Sequence, residues 1–383
     1  MNELDIEKAL NFDENEFLKD VFRQVKLESM KTIAKEKKEL MKKPKLVDLF
    51  LEVTSRCNAR CEHCGSSCGD FMPKDEITKE ELEKALLDIH NAYGGKNVYL
   101  FVTGGEPLVR KDLFDIMKYA RSLGYNWGMT TNGMLINDKI IEKMKETEIR
   151  TISISLDGLK ETHEKFRKVP GSFDIIIDNL KKLQKLDCLV ELQVTTVANK
   201  KNLHELESVY NLLLDIGIKN WRLATVDPIG RAKANDEILL DKDGYNYVFN
   251  FIKEKRQEGK IKLEYGCSHY LGVDNEMELR DYYFNCGTGI HIGSILSNGD
   301  IFACPNIERR KELIQGNIRK DNFVDVWENK YELFRKKRAN TNAKCKRCKS
   351  YKYCHGDSFH TWNFDDNKPN ICMKEIFGKD FYV

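Results

Sequence analysis

The chain has 383 residues, enough for two domains or for one barrel with an extension. Hydrophobic residues make up 41% of it and charged residues 32%, a balance typical of a soluble globular protein with a sizeable core. Lys and Arg number 63 against 61 Asp and Glu. The formal net charge of +2 therefore argues against nucleic acid or another polyanion as the partner.

Neither a signal peptide nor a membrane span is predicted. The first segment, MNELDIEKALNFDENEF, is acidic and has no apolar core. No window reaches the roughly 18–20 apolar residues that a bilayer requires. We therefore expect a cytoplasmic protein that does not contact a membrane. In that reducing compartment the 12 cysteines are expected to serve as metal ligands rather than to form disulfides.

Residues 1–46 are strongly charged, carry apolar residues at helical spacing and end near Pro44, which predicts a helical N-terminal extension. Residues 47–235 alternate short apolar runs with amphipathic stretches. The predicted strands are VDLFLEVT, NVYLFVTGGEP, NWGMTTNG, TISISLDG, LVELQVTTV and NWRLATVDP. Thr78 and Glu81 predict a capping box at the start of the first helix. This alternation predicts an α/β fold with a parallel sheet, closed as a barrel or open and doubly wound.

Residues 236–383 lose the alternation after one predicted helix, Lys242–Gln257. Most of the cysteines lie in this last third of the chain: Cys267, Cys286, Cys304, Cys345, Cys348, Cys354 and Cys372. We predict a small domain that is organised by metal rather than by a large core.

The loop after the first predicted strand, SRCNARCEHCGSSCG, contains Cys57, Cys61 and Cys64 at the spacing C-x3-C-x2-C. Three thiolates on one loop can bind three irons of a cubane cluster and leave its fourth iron open. A structural zinc ion normally takes four protein ligands, so this loop fits zinc poorly. Cys68 is then a spare thiol, and Cys188 is assigned to the core.

The run CNARCEHC resembles the signature of radical S-adenosylmethionine (radical SAM) enzymes, including the aromatic residue, His63, before the third cysteine. In that family the open iron chelates the amino and carboxylate groups of SAM. One electron then cleaves the sulfonium to methionine and a 5′-deoxyadenosyl radical. The resemblance implies a partial (β/α)6 TIM-like barrel and a [4Fe–4S] cluster held by Cys57, Cys61 and Cys64, with SAM as the cofactor.

A second motif, TGGEP, resembles the family's GGEP motif, in which the backbone and the glutamate receive the methionine ammonium group. Residues at the next strand ends match family positions that contact SAM or line its pocket. The predicted cofactor-binding residues are Thr103, Gly104, Gly105, Glu106, Pro107, Thr130, Asn132, Ser155, Asp157 and Arg222. Each has a structural alternative: turn capping for the hydroxyl and carboxamide groups, and a surface ion pair for Arg222.

The C-terminal third resembles the SPASM extension of radical SAM enzymes, which binds two auxiliary [4Fe–4S] clusters. Cys286, Gly299 and Cys304 match its C-x(9–15)-G-x4-C element, and the sequence between them predicts a β-hairpin with an Asn-Gly turn. The resemblance assigns a complete ligand set to the second auxiliary cluster: Cys345, Cys348, Cys354 and Cys372. A zinc ribbon built from these four cysteines is the alternative.

The first auxiliary site departs from the family pattern. Ser358 and Arg280 occupy two positions at which relatives carry cysteine. Cys267 is the best substitute, which gives a site of Cys267, Cys286 and Cys304. Its fourth iron would be open or would take a ligand other than cysteine.

Radical SAM enzymes with SPASM extensions mostly modify peptides or proteins. The resemblance therefore predicts an enzyme that abstracts hydrogen from a peptide or protein to form a crosslink, a thioether or an oxidised residue, with flavodoxin or ferredoxin as electron donor. Modification of a small molecule or tetrapyrrole precursor, and anaerobic sulfatase maturation, are the alternatives among enzymes. A metal-stabilised binding protein is the alternative outside them. No general base is assigned.

Overall fold

The computed structural model describes residues 14–69, 75–336, 338, 342–378 and 381. A long first helix, α1 (Glu14–Leu40), confirms the helical character of the N-terminal extension, whose residues 1–13 lie outside the described part. Ion pairs hold α1 against the C-terminal third of the chain: Arg23 Nε lies 2.6 Å from Asp274 Oδ1, and Lys26 Nζ lies 2.8 Å from Glu278 Oε1. The division into three domains stays a prediction.

The core of the fold is one mixed sheet of ten strands. The strands of the chain are β1 (Asp48–Glu52), β2 (Tyr99–Thr103), β3 (Asn126–Thr131), β4 (Thr151–Ser155), β5 (Glu191–Ala198), β6 (Asn220–Thr225), β7 (Lys262–Tyr265), β8 (Ile292–Ile295), β9 (Asp300–Phe302), β10 (Gly316–Asn317), β11 (Trp362–Asn363) and β12 (Lys368–Pro369). The sheet order is β10-β9-β8-β1-β2-β3-β4-β5-β6-β7, and β11 pairs with β12 separately.

Strands β1 to β7 run parallel in sequence order, which confirms the predicted α/β fold of a partial barrel. Two features of the sheet were not predicted. A seventh parallel strand, β7, follows β6, and β8 pairs in parallel with β1 at the other side of the sheet. Through β8 the C-terminal domain is continuous with the barrel sheet.

Helices lie between the strands and farther along the chain: α2 (Lys79–Tyr93), α3 (Leu113–Ser122), α4 (Asp138–Glu146), α5 (Lys160–Arg167), α6 (Ser172–Leu183), α7 (Leu206–Asp215), α8 (Lys242–Glu258), α9 (Phe323–Asn329), α10 (Glu332–Arg335), α11 (Ala343–Arg347), α12 (Tyr351–Cys354) and α13 (Met373–Phe377). Thr78 and Glu81 cap α2 reciprocally, as predicted. Among the described residues, no helix is long and apolar enough to cross a membrane.

The strand register separates two faces of the barrel sheet. Leu49, Leu100 and Ile152 are almost completely buried, because side chains alternate between the two faces of a strand and these point to the helix-covered side. On the other face a row of cross-strand partners joins Ser155 in β4 to Thr195 in β5 and Arg222 in β6. The row continues to Glu264 in β7, so this concave face carries hydroxyl groups, a guanidinium and a carboxylate, beside the stacked rings of Phe50 and Phe101.

The predicted hairpin is formed by β8 and β9. The amide of Gly299 donates to Leu296 O at 2.8 Å, and Gly299 closes the turn at φ +85°. That left-handed conformation favours glycine because it has no Cβ.

Candidate functional site

The cysteine loop and the C-terminal ends of β2, β3 and β4 enclose one cavity of ≈ 210 Å³. Cys57, Cys61 and Cys64 line one side of it. Most of the predicted cofactor-binding residues line the other side: Thr103, Gly104, Gly105, Thr130, Asn132 and Ser155. The structure therefore brings three separate motifs together, as expected when parallel strands end at one edge of a sheet.

Two glycines let the end of β2 pack directly on the cysteine loop. A Cβ at Gly104 would lie 2.4 Å from Thr54 O, and one at Gly105 would lie 2.2 Å from Arg56 O. The backbone hydrogen bond from Gly105 N to Thr54 O is 2.8 Å long. Both glycines of TGGEP are therefore needed because a side chain at either position would collide with the backbone of the cysteine loop.

Glu106 lies behind the cavity wall rather than in it. It is fully buried, and its carboxylate accepts hydrogen bonds from Thr131 Oγ1 at 2.7 Å, Asn132 N at 2.8 Å and Leu108 N at 3.1 Å. Burial raises the pKa of Glu106. Pro107 begins the short helical turn that follows. Glu106 therefore fixes the end of β3, and its predicted contact with the SAM ammonium group stays a prediction.

Asp157 also lies behind the cavity. Its Oδ2 is 2.5 Å from Arg167 Nε, and its Oδ1 accepts from Val197 N at 2.8 Å. Arg167, which was not predicted, lines the cavity and donates from Nη1 to Cys61 Sγ at 3.5 Å. Both side chains are buried. The Asp157 carboxylate thus holds a guanidinium against one sulfur of the cysteine loop.

A second arginine clamps the same loop from the segment after β6. Arg231 donates to Cys61 O at 2.8 Å and to Cys68 O at 3.1 Å. A Cβ at Gly230, whose φ is +54°, would lie 2.3 Å from Cys64 O. Gly230 and Arg231 therefore pack the segment after β6 directly on the cysteine loop.

Arg222 does not line this cavity. It is exposed on the concave face and forms no ion pair with any described residue. The surface ion pair considered as its alternative is thus absent from the described part of the chain.

The aromatic residue of the cysteine loop packs on the barrel wall. His63 stacks on Phe166 with ring centroids 4.7 Å apart. Burial lowers the pKa of His63 to about 4, so the ring is neutral near pH 7. Burial likewise raises the pKa of Cys57 to about 11, so this thiol needs a bound cation to become a thiolate ligand.

Cys68, which was set aside as a spare thiol, lies next to Cys64. A hydrogen bond from Cys68 lowers the pKa of the Cys64 thiol, and the same bond with burial raises the pKa of Cys68. Cys68 therefore supports a ligand of the cluster loop.

The four cysteines predicted for the second auxiliary cluster line one small cavity of ≈ 40 Å³. Two donors face their sulfurs: Asp357 N lies 3.2 Å from Cys354 Sγ, and Lys374 Nζ lies 3.7 Å from Cys348 Sγ. Among the described residues no three Cys, His, Asp or Glu side chains converge as a single metal ion would require. Four thiolates are the ligand set of a [4Fe–4S] cluster and also of a structural zinc ion.

The predicted first auxiliary set also comes together. Burial, then the thiols of Cys286 and Cys267, raise the pKa of Cys304 to about 12. The hydroxyl of Thr288 accepts a hydrogen bond from Cys286 Sγ at 3.3 Å. Ser358, at a position where relatives carry cysteine, is buried, and its hydroxyl lies 3.3 Å from His360 Nε2.

Arg280 stands at the second position where relatives carry cysteine. Its side chain holds the loop that contains Cys267. Its guanidinium donates to Gly266 O and His269 O, both at 2.9 Å, and to Glu276 Oε1 at 2.7 Å. Arg280 is fully buried. The residue that replaces one cysteine therefore fixes the backbone on both sides of another.

Three polar residues that received no role in the sequence form a buried network beside this site. His269 Nδ1 lies 2.8 Å from Asp357 Oδ2, and His269 Nε2 lies 3.2 Å from Asp227 Oδ1. The two carboxylates outweigh burial and raise the pKa of His269 to about 10. Their positions, 227, 269 and 357, are too far apart in sequence for any local pattern to indicate the contact.

Comparison with known proteins identifies the family to which the chain belongs. The family model of the radical SAM superfamily matches residues 51–213, and that of the SPASM iron–sulfur cluster-binding domain matches residues 286–349. The AdoMet-dependent heme synthase of Methanosarcina barkeri (strain Fusaro / DSM 804) is 30% identical over 322 residues, covering 80% of this chain and 89% of that protein. The chain belongs to the radical SAM superfamily.

One further protein and one solved structure are also similar to this radical SAM enzyme. The Fe-coproporphyrin III synthase of the same archaeal strain is 29% identical over 346 residues, covering 82% of this chain and 83% of that protein. The solved structure of native anSMEcpe with bound AdoMet and a Cp18Cys peptide superposes with a TM-score of 0.68 at 21% identity, over 88% of this chain and 96% of that one. The second likeness shows the fold.

As a radical SAM enzyme with a SPASM domain, the protein uses [4Fe–4S] clusters and SAM. The donors present fit these groups: three thiols face a cavity lined by backbone and hydroxyl groups, and a four-thiol set surrounds a second cavity. Thiolates are the ligands that iron–sulfur clusters take.

Proposed function

We propose that this radical SAM enzyme modifies a carboxylated tetrapyrrole on the route to heme. The observation that carries the proposal is the 30% identity to an AdoMet-dependent heme synthase over 89% of that protein's length. A second relative, an Fe-coproporphyrin III synthase, is 29% identical and also has a tetrapyrrole in its name. This reading reverses the order of the sequence-based prediction, in which a peptide substrate came first.

The residues of the cysteine-loop cavity have distinct proposed roles. Cys57, Cys61 and Cys64 hold the cluster and leave one iron open for SAM. The proposed SAM contacts are Thr103, Gly104, Gly105, Thr130, Asn132 and Ser155, with Glu106, Pro107 and Asp157 positioning them from behind. When bound, the cluster and SAM supply a 5′-deoxyadenosyl radical that abstracts one hydrogen. Arg167 and Arg231 keep the loop closed around the sulfurs.

The concave face supports a substrate with carboxylates. Arg222 is exposed and forms no ion pair with a described residue, so its guanidinium is available for a planar, bidentate anion such as a carboxylate. It shares a row with Ser155, two strands away, or roughly 10 Å at the usual strand spacing. Thus Ser155, at one end of the row, faces the cysteine-loop cavity, and Arg222, at the other end, offers a binding group for a substrate carboxylate. Arg222 is accordingly proposed as a substrate residue instead of a SAM residue.

The auxiliary sites are proposed as electron acceptors. Cys345, Cys348, Cys354 and Cys372 hold the second cluster, and Cys267, Cys286 and Cys304 hold the first. An electron donor such as flavodoxin or ferredoxin is needed for SAM cleavage and stays a proposal.

The decisive experiment is an anaerobic assay of the reconstituted, reduced protein with SAM and Fe-coproporphyrin III. We expect 5′-deoxyadenosine together with a tetrapyrrole of changed mass. The proposal fails if deoxyadenosine accumulates while the tetrapyrrole mass is unchanged. Omission of SAM and of reductant are the controls.

Peptide modification is the second candidate. Its support is the SPASM domain match and a shared fold with a structure that contains a peptide. Incubation with short cysteine-containing peptides, including the substrate type used for sulfatase maturation, separates the two candidates, because only one should form product in step with deoxyadenosine.

A further inference from the structure

A basic recess of ≈ 400 Å³ lies between α1 and the auxiliary-cysteine segments, outside the cysteine-loop cavity. Apolar and aromatic side chains, among them Met41, Phe334 and Phe359, form part of its wall. Its charged lining is wholly cationic: Lys37, Lys38, Lys336, Arg338, Lys346, Lys349 and Lys352. No described lining residue is acidic, although Lys and Arg barely outnumber Asp and Glu in the whole chain.

Lys37 is the unusual member of this set. Its side chain is 6% exposed, and it makes no hydrogen bond or ion pair with any described residue. Most of the side chain is buried while Nζ keeps contact with the recess, where a bound anion would pair with the ammonium group. The exposed rim lysines Lys38, Lys346, Lys349 and Lys352 likewise form no ion pair with a described residue. The described lining therefore contains no acidic side chain, and the only negative charge expected there is that of the clusters proposed at Cys286 and Cys348.

The recess also reaches both auxiliary cysteine sets. Cys286 of the proposed first set and Cys348 of the proposed second set line it. A macromolecule bound here would lie beside both clusters, whereas the SAM cavity has a different lining. Charge and position together indicate a partner that exchanges electrons.

We propose that this recess is the docking site of an acidic one-electron carrier protein that accepts electrons from the auxiliary clusters. A carrier with surface carboxylates complements the rim lysines, and such complementarity speeds encounter and fixes orientation. A carboxylate of the carrier reaches toward Lys37. The inference holds for either candidate substrate, because it concerns the electron that the substrate radical releases when the product forms.

The electron balance is compatible with such an acceptor, because each turnover takes up one electron to cleave SAM and releases one electron from the substrate radical. Hydrogen abstraction leaves a substrate radical, which becomes a closed-shell product by forming a new π bond or crosslink and losing one proton and one electron. The clusters that Cys286 and Cys348 would help to hold would accept this electron, and the oxidised carrier would take it from them and be reduced by one electron. A docked carrier would remove this electron before the next turnover.

Binding of an oxidised acidic flavodoxin to the reconstituted full-length enzyme tests the proposal. The variant is Lys38→Glu/Lys352→Glu, and the matched control is Lys35→Glu/Lys139→Glu, which makes the same charge change at exposed lysines outside the recess. We expect the recess variant to raise the Kd at least tenfold at low salt and the control to stay within twofold. Added salt should weaken binding of the flavodoxin to the wild type and make the Kd values of the wild type and the recess variant similar.

Two readouts separate docking from damage to the clusters. Iron content and the cluster spectra of both double variants should match the wild type, and a small neutral oxidant should reoxidise photoreduced clusters equally fast in all three proteins. Equal Kd values for the recess variant and the control would overturn the proposal. So would a wild-type protein that binds citrate in the recess but not the flavodoxin, which would mark the site as one for a small anion.

Discussion

Arg167 connects the carboxylate of Asp157 to the sulfur of Cys61: its Nε lies 2.5 Å from Asp157 Oδ2, and its Nη1 lies 3.5 Å from Cys61 Sγ. All three side chains are buried. The nearby arginine helps to lower the pKa of Asp157 against the opposing effect of burial. The contact places a fixed positive charge next to the sulfur of Cys61, a proposed ligand of an anionic cluster, in a buried region where water screens it little.

Substitution Arg167→Gln should destabilise the protein strongly, because it leaves the Asp157 carboxylate buried without a cation. Removal of one partner from a buried pair costs about 3–5 kcal/mol. Chemical denaturation of the metal-free protein should show this loss. Lys336→Gln breaks an exposed pair and is the control, with an expected loss below about 1 kcal/mol. A similar stability for both variants would contradict the role given to Arg167.

Substitution Gly105→Ala should disrupt the cysteine-loop cavity while leaving the auxiliary sites intact. Its Cβ would lie 2.2 Å from Arg56 O, so β2 and the cysteine loop must separate. We expect the iron content to fall by about one cluster, or about four irons, and deoxyadenosine formation to be lost. Gly259→Ala, which meets no atom within 4 Å but is strained at φ +66°, should lose some stability and still retain both. Normal iron and SAM cleavage in Gly105→Ala would refute the packing argument.

Cys267 and Arg280 should act together at the first auxiliary site. Cys267→Ser removes a proposed ligand, and Arg280→Ala removes the donors that hold its loop. We expect both variants to lose about four irons per chain and to keep SAM cleavage, because the cluster loop is separate. Cys188→Ser, outside all three cysteine sets, is the control. If Cys267→Ser keeps its full iron complement, another residue completes the site.

The alternation of βα units and the cysteine motifs could be predicted because both are local in sequence. The contacts that complete the site are not. Arg167 and Cys61 are 106 residues apart, and β8 joins β1 across most of the chain. Strand β7 was missed because it is only four residues long and carries Lys262 and Glu264. Such features depend on tertiary packing, which overrides local pattern.

Glu106 and Asp157 illustrate a different limit. The motifs place both next to the cavity, and family resemblance gives them to the cofactor. In the structure their carboxylates accept internal hydrogen bonds, and that of Asp157 also forms an ion pair, while contact with the cofactor stays a prediction. A motif identifies a position but not the direction in which its side chain points.

Substitution Arg222→Gln should weaken substrate binding without affecting SAM cleavage. A hydrogen bond to a charged group is worth about 1.5–3 kcal/mol, so we expect the KM for a carboxylated tetrapyrrole to rise by about tenfold to a hundredfold. Deoxyadenosine should still form, now uncoupled from product. An esterified tetrapyrrole should not distinguish wild type from variant. Loss of SAM cleavage in Arg222→Gln would return this residue to the SAM site.

Stability should fall in mild acid through His163. Burial lowers its pKa to about 4 from an ordinary value of 6.5, and its Nδ1 accepts a hydrogen bond from Asp157 N at 3.1 Å. Because the folded pKa is the lower one, the folded state keeps this ring neutral while the unfolded chain is protonated. Its contribution is complete above pH 6.5 and is lost as the pH falls toward 4.

The free energy of unfolding should fall by about 3 kcal/mol at most through His163. His63, whose pKa burial also lowers to about 4, contributes over the same pH range. His163→Gln retains an acceptor for Asp157 N and cannot be protonated, so it should remove about half of the decrease in unfolding free energy between pH 7 and pH 4. Denaturation of the metal-free protein at several pH values measures it. His204→Gln, at an exposed site, should leave the pH profile unchanged. If His163→Gln follows the wild-type profile, acid sensitivity arises elsewhere in the fold.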